Sequence, residues 1–227
     1  QYNVLHGYTM ELDSTLFYGN ITPVNKDRKL AITINTYGED VESVGYKIRS
    51  LEDKSLIENT EVSGYQVTDN KINVTLNIKN LLDTGKEYAL EVVLKTKKHD
   101  EVYYYTRIMY GTDYDLQKKL DFVKDFNACT FDNARLKDIG GYLETSSVGD
   151  NTNYGKVNIN CSLSQVGWGD LEPYIESEIT PEIISINDDV AIIRLDYRVG
   201  AANDYSSRDT YTVNEYYRIR QANSGFY

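Results

Sequence analysis

The chain has 227 residues, of which 41% are hydrophobic and 26% charged, and its formal net charge is −11. This composition excludes a wholly disordered chain, and the length suffices for two ordinary domains, each with its own core. The acidic surface repels phosphate backbones and anionic lipid headgroups, so we predict that nucleic acid is not a partner. No run of about 18 apolar residues is present, so we predict no membrane-spanning helix.

The tyrosine content and the start of the sequence carry two further expectations, one about structure and one about location. Tyrosine is frequent, with 21 residues against 5 phenylalanines and 1 tryptophan, and its amphipathic ring suits β-structure with solvated faces. The sequence starts at Gln1 without an initiator methionine, and we expect a signal or a membrane anchor upstream. We therefore predict an extracellular or cell-surface location in a bacterial protein.

The first half of the sequence has the two-residue period of β-strands. Apolar residues alternate with polar ones through residues 29–37, 43–51, 70–80 and 87–96, and the third segment shows the pattern best, with Ile72, Val74 and Leu76. Turn-forming residues separate the segments. Short strands with turns between them, and no helical stripe, predict an all-β antiparallel sandwich over residues 1–110.

One segment of this half, LDTGKEYALEVVL, carries a motif. Leu82 precedes Tyr88 by six positions, and Tyr88 lies at the start of a predicted strand. The segment resembles the tyrosine corner of fibronectin type III and related immunoglobulin-like domains. The resemblance implies an Ig-like β-sandwich from Leu12 to Met109, in which the Tyr88 hydroxyl holds the preceding corner of the chain.

Three consecutive tyrosines lie in the last predicted strand of the sandwich, residues 102–109. Because side chains alternate along a strand, Tyr103, Tyr105 and Arg107 share one face. This stripe of two rings and a cation is a candidate binding surface. The interpretation we favour is a packing stripe that the second domain covers.

A helical region follows Gly111. Thr112 and Asp115 form a variant of the capping box, which predicts that a helix starts there. Apolar residues then follow at helical spacing through residues 116–127, with Lys118 and Lys119 on the solvent face. Residues 131–144 have the pattern of a second, shorter helix.

The β-pattern returns in the last third of the sequence. Alternation predicts strands in residues 156–166, 174–186, 189–199 and 209–221, the second of them interrupted at Pro181. Two helices packed on a curved antiparallel sheet form an α+β domain, which we predict over residues 111–227. This architecture resembles the NTF2-like and cystatin-like folds.

Residues that bind metals are scarce. The chain has two cysteines, Cys129 and Cys161, and two histidines, which are too few and too scattered for a zinc site. The oxygen-rich segments 149–155 and 203–209 lack the spacing of a calcium loop. We therefore predict no metal and no cofactor. A Cys129–Cys161 disulfide, formed in an oxidising compartment, and two free thiols both stay open.

The sequence contains no arrangement that points to a catalytic triad or a nucleotide-binding loop. Four acidic residues of predicted strands, Glu176, Glu178, Asp196 and Glu215, are candidates for acid–base chemistry if two of them face one cavity. The interpretation we favour is that they lie on solvated strand faces of an acidic protein. We therefore predict no catalytic residues.

The loop SQVGWGDLEPY, residues 164–174, is the most distinctive candidate for ligand binding. It holds the single tryptophan, Trp168, between Gly167 and Gly169, and ends at Tyr174. Exposed rings bind sugars or protein partners with little loss of conformational entropy. The interpretation we favour for Trp168 is packing against the end of the sheet core.

These features together predict a non-catalytic binding or interaction module of a bacterial surface protein, with a glycan or another surface protein as its partner. One alternative is an enzyme or enzyme accessory for glycan hydrolysis that uses strand carboxylates of the second domain. The other alternative is a structural spacer.

Overall fold

A computed structural model describes residues 1–112, 114–145, 155–203, 207–222 and 225–227. The chain divides into two compact units. The sandwich unit contains Asn3–Tyr114 and Ile183–Ile186, and the helix–sheet unit contains Gln1–Tyr2, Asp115–Glu182 and Asn187–Tyr227. Most of the two oxygen-rich segments, 149–155 and 203–209, lies outside the described residues. Within the described ranges, no helix is long and apolar enough to cross a membrane, and no group of acidic, histidine and cysteine side chains is placed to hold a metal.

Eight strands in two sheets build the sandwich unit. They are β1 (Ile21–Asn25), β2 (Lys29–Asn35), β3 (Val41–Ser50), β4 (Leu56–Val62), β5 (Gln66–Thr68), β6 (Lys71–Asn77), β7 (Glu87–Thr96) and β8 (Val102–Gly111). One sheet has the order β1-β8-β7-β3-β4 and the other β2-β6-β5. Strand β1 is parallel to β8, with Ile21 opposite Arg107. A short 3₁₀ helix, Ser14–Leu16, precedes β1.

The two sheets share one hydrophobic core. Strand β3 contributes Val44 and Ile48 and strand β6 contributes Ile72 and Leu76, and all four side chains are fully buried. They lie at alternate positions of their strands because one face of each sheet packs inward, at roughly 25 cal/mol per Å² of apolar surface removed from water. The predicted β-rich architecture is confirmed, and two sheets around one core are consistent with a β-sandwich, whereas the Ig-like and fibronectin type III assignments stay predictions.

A buried carboxylate, Glu58 of β4, links the two sheets. Its Oε2 accepts hydrogen bonds from the backbone N–H groups of Lys79 at 3.0 Å and Asn80 at 2.9 Å, and its Oε1 accepts one from the Tyr46 hydroxyl at 2.5 Å. Burial acts to raise the pKa of Glu58, but the hydrogen bonds outweigh it, so the pKa lies below the ordinary value. The ionised carboxylate thus fixes the segment that follows β6.

The corner before β7 has the geometry that the LDTGKEYALEVVL motif implies. The Tyr88 hydroxyl accepts a hydrogen bond from the backbone N–H of Asp83 at 2.7 Å, and Leu82 is buried in the core. We expect Tyr88→Phe to lower the free energy of unfolding by about 1 kcal/mol, because the Asp83 N–H loses its partly buried acceptor. Urea denaturation followed by circular dichroism measures this loss. Tyr37→Phe, which alters a ring 86% exposed to solvent, is the control, and equal stability of the two variants would contradict the corner role.

The helix–sheet unit has one long helix and one main sheet. Its elements are α1 (Leu116–Thr130), a 3₁₀ helix (Leu136–Tyr142), α2 (Leu163–Val166), β9 (Tyr174–Ile175), β10 (Thr180–Ile186), β11 (Val190–Ala202), β12 (Arg208–Ala222) and β13 (Gly225–Phe226). The sheet order is β10-β11-β12-β13, and β9 pairs with β11. Strands β11 and β12 form a long antiparallel ribbon in which Val190 lies opposite Arg220 and Ala202 opposite Arg208.

Helix α1 begins later than the sequence predicts. Its first residue is Leu116, after Asp115 in a left-handed conformation with φ of 52°, while the Thr112 hydroxyl accepts a hydrogen bond from the Tyr114 N–H. Asp113 lies outside the described residues. Lys119 was expected on the solvent face but is fully buried. Its aliphatic stem packs inward, and its Nζ donates to the Asn187 carbonyl at 2.9 Å.

Two further predictions for this unit are wrong. Residues 156–166 form no strand: the Ser162 hydroxyl accepts a hydrogen bond from the Gln165 N–H and caps α2, while Val157 and Ile159 are exposed. Serine and asparagine side chains here bond to the local backbone, and this competes with a strand ladder. The second predicted helix is the 3₁₀ helix Leu136–Tyr142, where Gly140 and Gly141 disfavour a regular α-helix.

Candidate functional site

Tyr103 and Tyr105 do not form an exposed stripe. The N-terminal segment lies over them: Phe17 stacks on Tyr105 with ring centroids 4.4 Å apart, and the Tyr105 hydroxyl accepts from the Leu12 N–H at 2.7 Å. Tyr8 and Tyr103 form a β-bridge. A hydrogen bond to Glu101, with burial, raises the pKa of Tyr103 to about 12. The rings therefore have a packing role in this structure, and the N-terminal segment supplies the cover.

Arg107, the cation of the predicted stripe, is also buried. Its guanidinium forms an ion pair with Glu87 at 2.6 Å and donates to the Tyr18 carbonyl at 3.2 Å. The same group lies 5.7 Å from the centre of the Tyr18 ring. These contacts occupy the guanidinium within the sandwich unit, so Arg107 offers no open cation to a ligand.

Trp168 is half-buried rather than displayed between its glycines. Its indole Nε1 donates to the Thr130 hydroxyl at 3.3 Å, and its ring centre lies 5.3 Å from that of Phe131. Trp168 has a φ of 69° and Gly169 a φ of 53°, so the loop turns back on itself here. The tryptophan packs at the end of α1, whereas its packing against the end of the sheet core, the interpretation that the sequence favours, stays a prediction.

The four candidate carboxylates do not share one face of the sheet. Glu215 lies opposite Leu195 on the face that packs under α1, whereas Asp196 projects from the other face. Glu176 accepts hydrogen bonds from Tyr174 and from Thr210 on that other face, and Glu178 is exposed. The sheet therefore separates Glu215 from Asp196 and Glu176, and the four carboxylates do not converge on one cavity.

Glu215 is the centre of a polar cluster beneath α1. It accepts hydrogen bonds from the hydroxyls of Tyr197 and Tyr217, both at 2.7 Å, and from the Asn127 side-chain amide at 3.0 Å. Burial, together with the negative charge of Glu215, raises the pKa of both tyrosines above the ordinary value. The tyrosines therefore stay protonated at neutral pH and stabilise the carboxylate as donors, which is a structural arrangement.

Both cysteines are free thiols and buried in this structure. Burial is the main cause that raises the pKa of Cys129 and of Cys161. A raised pKa keeps a thiol protonated at neutral pH and lowers its nucleophilicity. Neither cysteine therefore has the environment of a catalytic thiolate.

The other face of the β11–β12 ribbon, here named the outer face, is open and polar. The side chains of Arg194 and Asp196 on β11 and of Asn214 and Tyr216 on β12 share it, because Arg194 lies opposite Tyr216 and Asp196 opposite Asn214. Arg194 forms ion pairs with Asp196 at 2.8 Å and with Glu182 at 2.6 Å. The Asn214 amide donates to Asp196 at 2.6 Å.

Tyr216 is the exposed ring of this polar group, with 64% of its surface open to solvent. The neighbouring arginine, carboxylate and amide are held in place by their mutual hydrogen bonds. A flat ligand ring can stack on Tyr216 while the neighbouring polar side chains bind hydroxyl groups of the ligand from one side. Because these side chains are already held in place, they lose little conformational freedom on binding.

A second exposed tyrosine lies further along the same face. Tyr174 of β9 crosses over Gly200, where any larger residue would collide with its hydroxyl, and 40% of its surface is exposed. Its hydroxyl donates to Glu176 at 3.0 Å, and the Arg208 guanidinium lies 5.3 Å from its ring centre. Tyr174 pairs with Gly200, and Gly200 pairs in turn with Thr210 of β12. Thr210 lies six positions from Tyr216, so the two tyrosines are offset by about 20 Å along the ribbon.

The sequence predicts part of this surface. Tyr174 was a candidate, and the alternation of β12 places Tyr216 and Asn214 on one face. The role of Tyr216 was missed because alternation does not tell which polar face of a strand is open and which packs under a helix. The pairing of Arg194 with Tyr216 follows from strand register, which a single sequence does not give.

No protein-family model matches the chain, and no curated protein is similar enough in sequence to count as a relative. Among solved structures, the chain is similar to a lytic polysaccharide monooxygenase of Jonesia denitrificans, with a TM-score of 0.28 and 15% identity, over 40% of this chain and 58% of that one. It is also similar to SGBP-B of the mixed-linkage glucan utilization locus of Bacteroides ovatus, solved with a mixed-linkage heptasaccharide, with a TM-score of 0.26 and 14% identity, over 94% of this chain and 47% of that one. The chain spans less than two thirds of either structure, and at these TM-scores neither likeness carries a conclusion about its fold or function.

Proposed function

We propose that this chain is a non-catalytic binding module of an extracellular or cell-surface protein, and that the outer face of its helix–sheet unit binds an extended glycan. The observation that carries the proposal is the pair of exposed tyrosines, Tyr174 of β9 and Tyr216 of β12, which share the outer face and are offset by six residues, about 20 Å, along the ribbon. Polar side chains held by one another lie beside both rings.

A glycan suits this surface better than a compact ligand does. The outer face is a long, open ribbon rather than an enclosed cavity, and an extended chain can contact both tyrosines at once. Sugar rings present apolar faces that stack on tyrosine and hydroxyl groups that bond to groups such as Asp196 and Asn214. Tyrosine loses little conformational entropy on binding, because it has only two rotatable side-chain bonds.

The remaining candidates have less support. Of the aromatic residues that the sequence singled out, Tyr103, Tyr105 and Trp168 pack inside their units, and Tyr174 is the one that lies on an open face. An enzyme acting through strand carboxylates would need them to converge on one cavity, whereas Glu215 lies on the opposite side of the sheet from Asp196, and the face that carries Asp196 is an open surface. A spacer would not need an ordered polar group around an exposed ring.

Loss of Tyr216 is the sharpest test of this proposal. We expect Tyr216→Ala to weaken binding to a soluble polysaccharide about tenfold, equivalent to about 1.4 kcal/mol, because a central stacking contact is removed. Affinity electrophoresis against a panel of neutral and acidic plant and bacterial polysaccharides identifies the ligand, and calorimetry then measures the dissociation constants.

The matched control is Tyr37→Ala, which removes an exposed tyrosine of the sandwich unit. This variant should bind as the unaltered protein does. The proposal is wrong if no polysaccharide of the panel binds, or if Tyr216→Ala and Tyr174→Ala both bind with unchanged affinity.

A further inference from the structure

The arginines of this protein are concentrated in one place. The chain has nine arginines, and five of them lie in the β11–β12 ribbon: Arg194, Arg198, Arg208, Arg218 and Arg220. The ribbon strands contain no lysine. The whole chain has a net charge of −11, whereas the two ribbon strands carry more positive than negative side chains.

All five arginines lie on the outer face. The three arginines of β12 are each an even number of residues from Tyr216, so their side chains lie on its face. The two arginines of β11 pair with residues of β12 that lie on this face. Arg198 lies opposite Thr212, Arg218 opposite Ile192 and Arg220 opposite Val190. Side chains at alternate positions of paired strands project from one side of the sheet. The outer face therefore carries a row of cations along the surface proposed to bind a glycan.

Three of these cations have no ion pair within the described part of the chain. Arg194 is paired with Glu182 and Asp196, and Arg208 lies over the Tyr174 ring. Among the described residues, no carboxylate lies within 4.0 Å of Arg198, Arg218 or Arg220, and all three residues are exposed. Their guanidinium groups are open to an anionic partner.

We infer that the ligand of this face is an anionic glycan, a polymer of uronic acids whose carboxylates pair with Arg198, Arg218 and Arg220 while its rings stack on Tyr216 and Tyr174. This inference rests on the proposed function and specifies its ligand class. A guanidinium binds a carboxylate through two parallel N–H···O bonds, a geometry that a planar sugar carboxylate can satisfy.

The acidic residues of the same face favour a uronic acid polymer over nucleic acid. Asp196, Glu182 and Glu176 are acceptors that can bond to sugar hydroxyls, which a polyuronide retains on every ring. A DNA backbone offers no free sugar hydroxyls to these acceptors, and the net charge of −11, which opposes both polymers, acts most strongly on a duplex with one charge per about 1.7 Å. A ligand with both hydroxyls and spaced carboxylates matches the alternation of acids and arginines.

The test compares polygalacturonate with fully methyl-esterified homogalacturonan, which has the same chain but no charge. We expect the esterified polymer to bind at least tenfold more weakly, and we expect binding of polygalacturonate to weaken as sodium chloride is raised, because salt screens exposed ion pairs. The triple variant Arg198→Gln, Arg218→Gln, Arg220→Gln should bind polygalacturonate about tenfold more weakly, from three exposed pairs of modest strength.

The control variant changes the net charge equally but elsewhere. Lys71→Gln, Lys95→Gln and Lys124→Gln together remove three exposed positive charges outside the ribbon, and this variant should keep its affinity for polygalacturonate. Equal loss in the two triple variants would overturn the inference, since net charge rather than the outer face would then set the affinity.

Two other outcomes separate the inference from the proposed function. If esterified and acidic polymers bind equally and Tyr216→Ala weakens both, the glycan-binding function stands and the anionic ligand is wrong. If single-stranded DNA or phosphatidylserine vesicles bind as tightly as polygalacturonate, the face is a general polyanion surface and the inference is wrong. If no polysaccharide binds, both proposals fail.

Discussion

Replacing Glu58 with glutamine is expected to lower the free energy of unfolding of the sandwich unit by about 1–2 kcal/mol. The carboxylate accepts hydrogen bonds from the backbone N–H groups of Lys79 and Asn80, both through Oε2, while Oε1 accepts from Tyr46. A glutamine can keep its oxygen on the two backbone donors and turn its NH₂ group to the Tyr46 hydroxyl, which then donates to the Asn77 carbonyl 2.7 Å away. What the substitution removes is the negative charge, and hydrogen bonds to a charged group contribute about 1 kcal/mol more than neutral ones.

The contribution of Glu58 to the free energy of unfolding depends on pH, and the direction follows from the shift of its pKa. The fold lowers the pKa of Glu58, so the folded state favours the ionised form more than the unfolded state does. This stabilisation is complete above the unfolded pKa of about 4.3 and is lost as the pH falls through the folded value. The difference in stability between the unaltered protein and Glu58→Gln should therefore be largest at pH 6–7 and shrink below about pH 4.

Urea denaturation followed by far-ultraviolet circular dichroism measures this difference, because the sandwich unit is built from strands. Glu61→Gln is the matched control, since Glu61 is an exposed glutamate of the same strand. The control should be as stable as the unaltered protein at every pH. A stability difference between Glu58→Gln and the control below about 0.5 kcal/mol, or one that grows as the pH falls, would contradict the role assigned to Glu58.

The sandwich was largely predictable because its sequence obeys one simple rule. In β3 and β6, one face is buried and the other solvated, and this forces the alternation seen at Val44 and Ile48 and at Ile72 and Leu76. Strand β1 gives no such signal, because four of its five residues are buried, including Thr22 and Pro23. A fully buried short strand has no alternation to read.

The helix–sheet unit was less predictable because local bonding competes with pattern. Residues 156–166 alternate as a strand would, but Ser162 bonds to the backbone of Gln165 and starts a helix instead. Lys119 fits the polar face of α1 by type, yet carbonyl acceptors at Asn187 allow its burial. Those acceptors are distant in sequence, so only the tertiary structure shows them.

The candidate surface could be predicted only in part, because the sequence does not show which aromatic residues are exposed. An exposed aromatic residue and a packed one have the same sequence signature, as Tyr216 and Tyr105 illustrate. The N-terminal segment that covers Tyr105 begins about a hundred residues earlier in the chain, at Tyr8 and Phe17. Burial by such a segment depends on long-range pairing, which periodicity does not encode.

The cluster beneath α1 gives the second large effect. We expect Glu215→Ala to lower the free energy of unfolding of the helix–sheet unit by about 2–3 kcal/mol, because it leaves a cavity and removes the acceptor of two tyrosine hydroxyls and one amide. Glu215→Gln should cost less than about 1 kcal/mol, since its oxygen still accepts from Asn127 and a tyrosine hydroxyl can accept from its NH₂ group.

The fluorescence of Trp168 measures this effect, because it is the single tryptophan of the chain and lies in the helix–sheet unit. Its transition in urea should move to lower concentration in Glu215→Ala and stay near its original position in Glu215→Gln and in Glu178→Ala, which truncates an exposed glutamate of the same unit. Polysaccharide binding should survive in Glu215→Gln, because Glu215 lies on the face opposite to Tyr216. Loss of binding in that variant with unchanged stability would instead place the ligand beneath α1, and the outer-face proposal would be wrong.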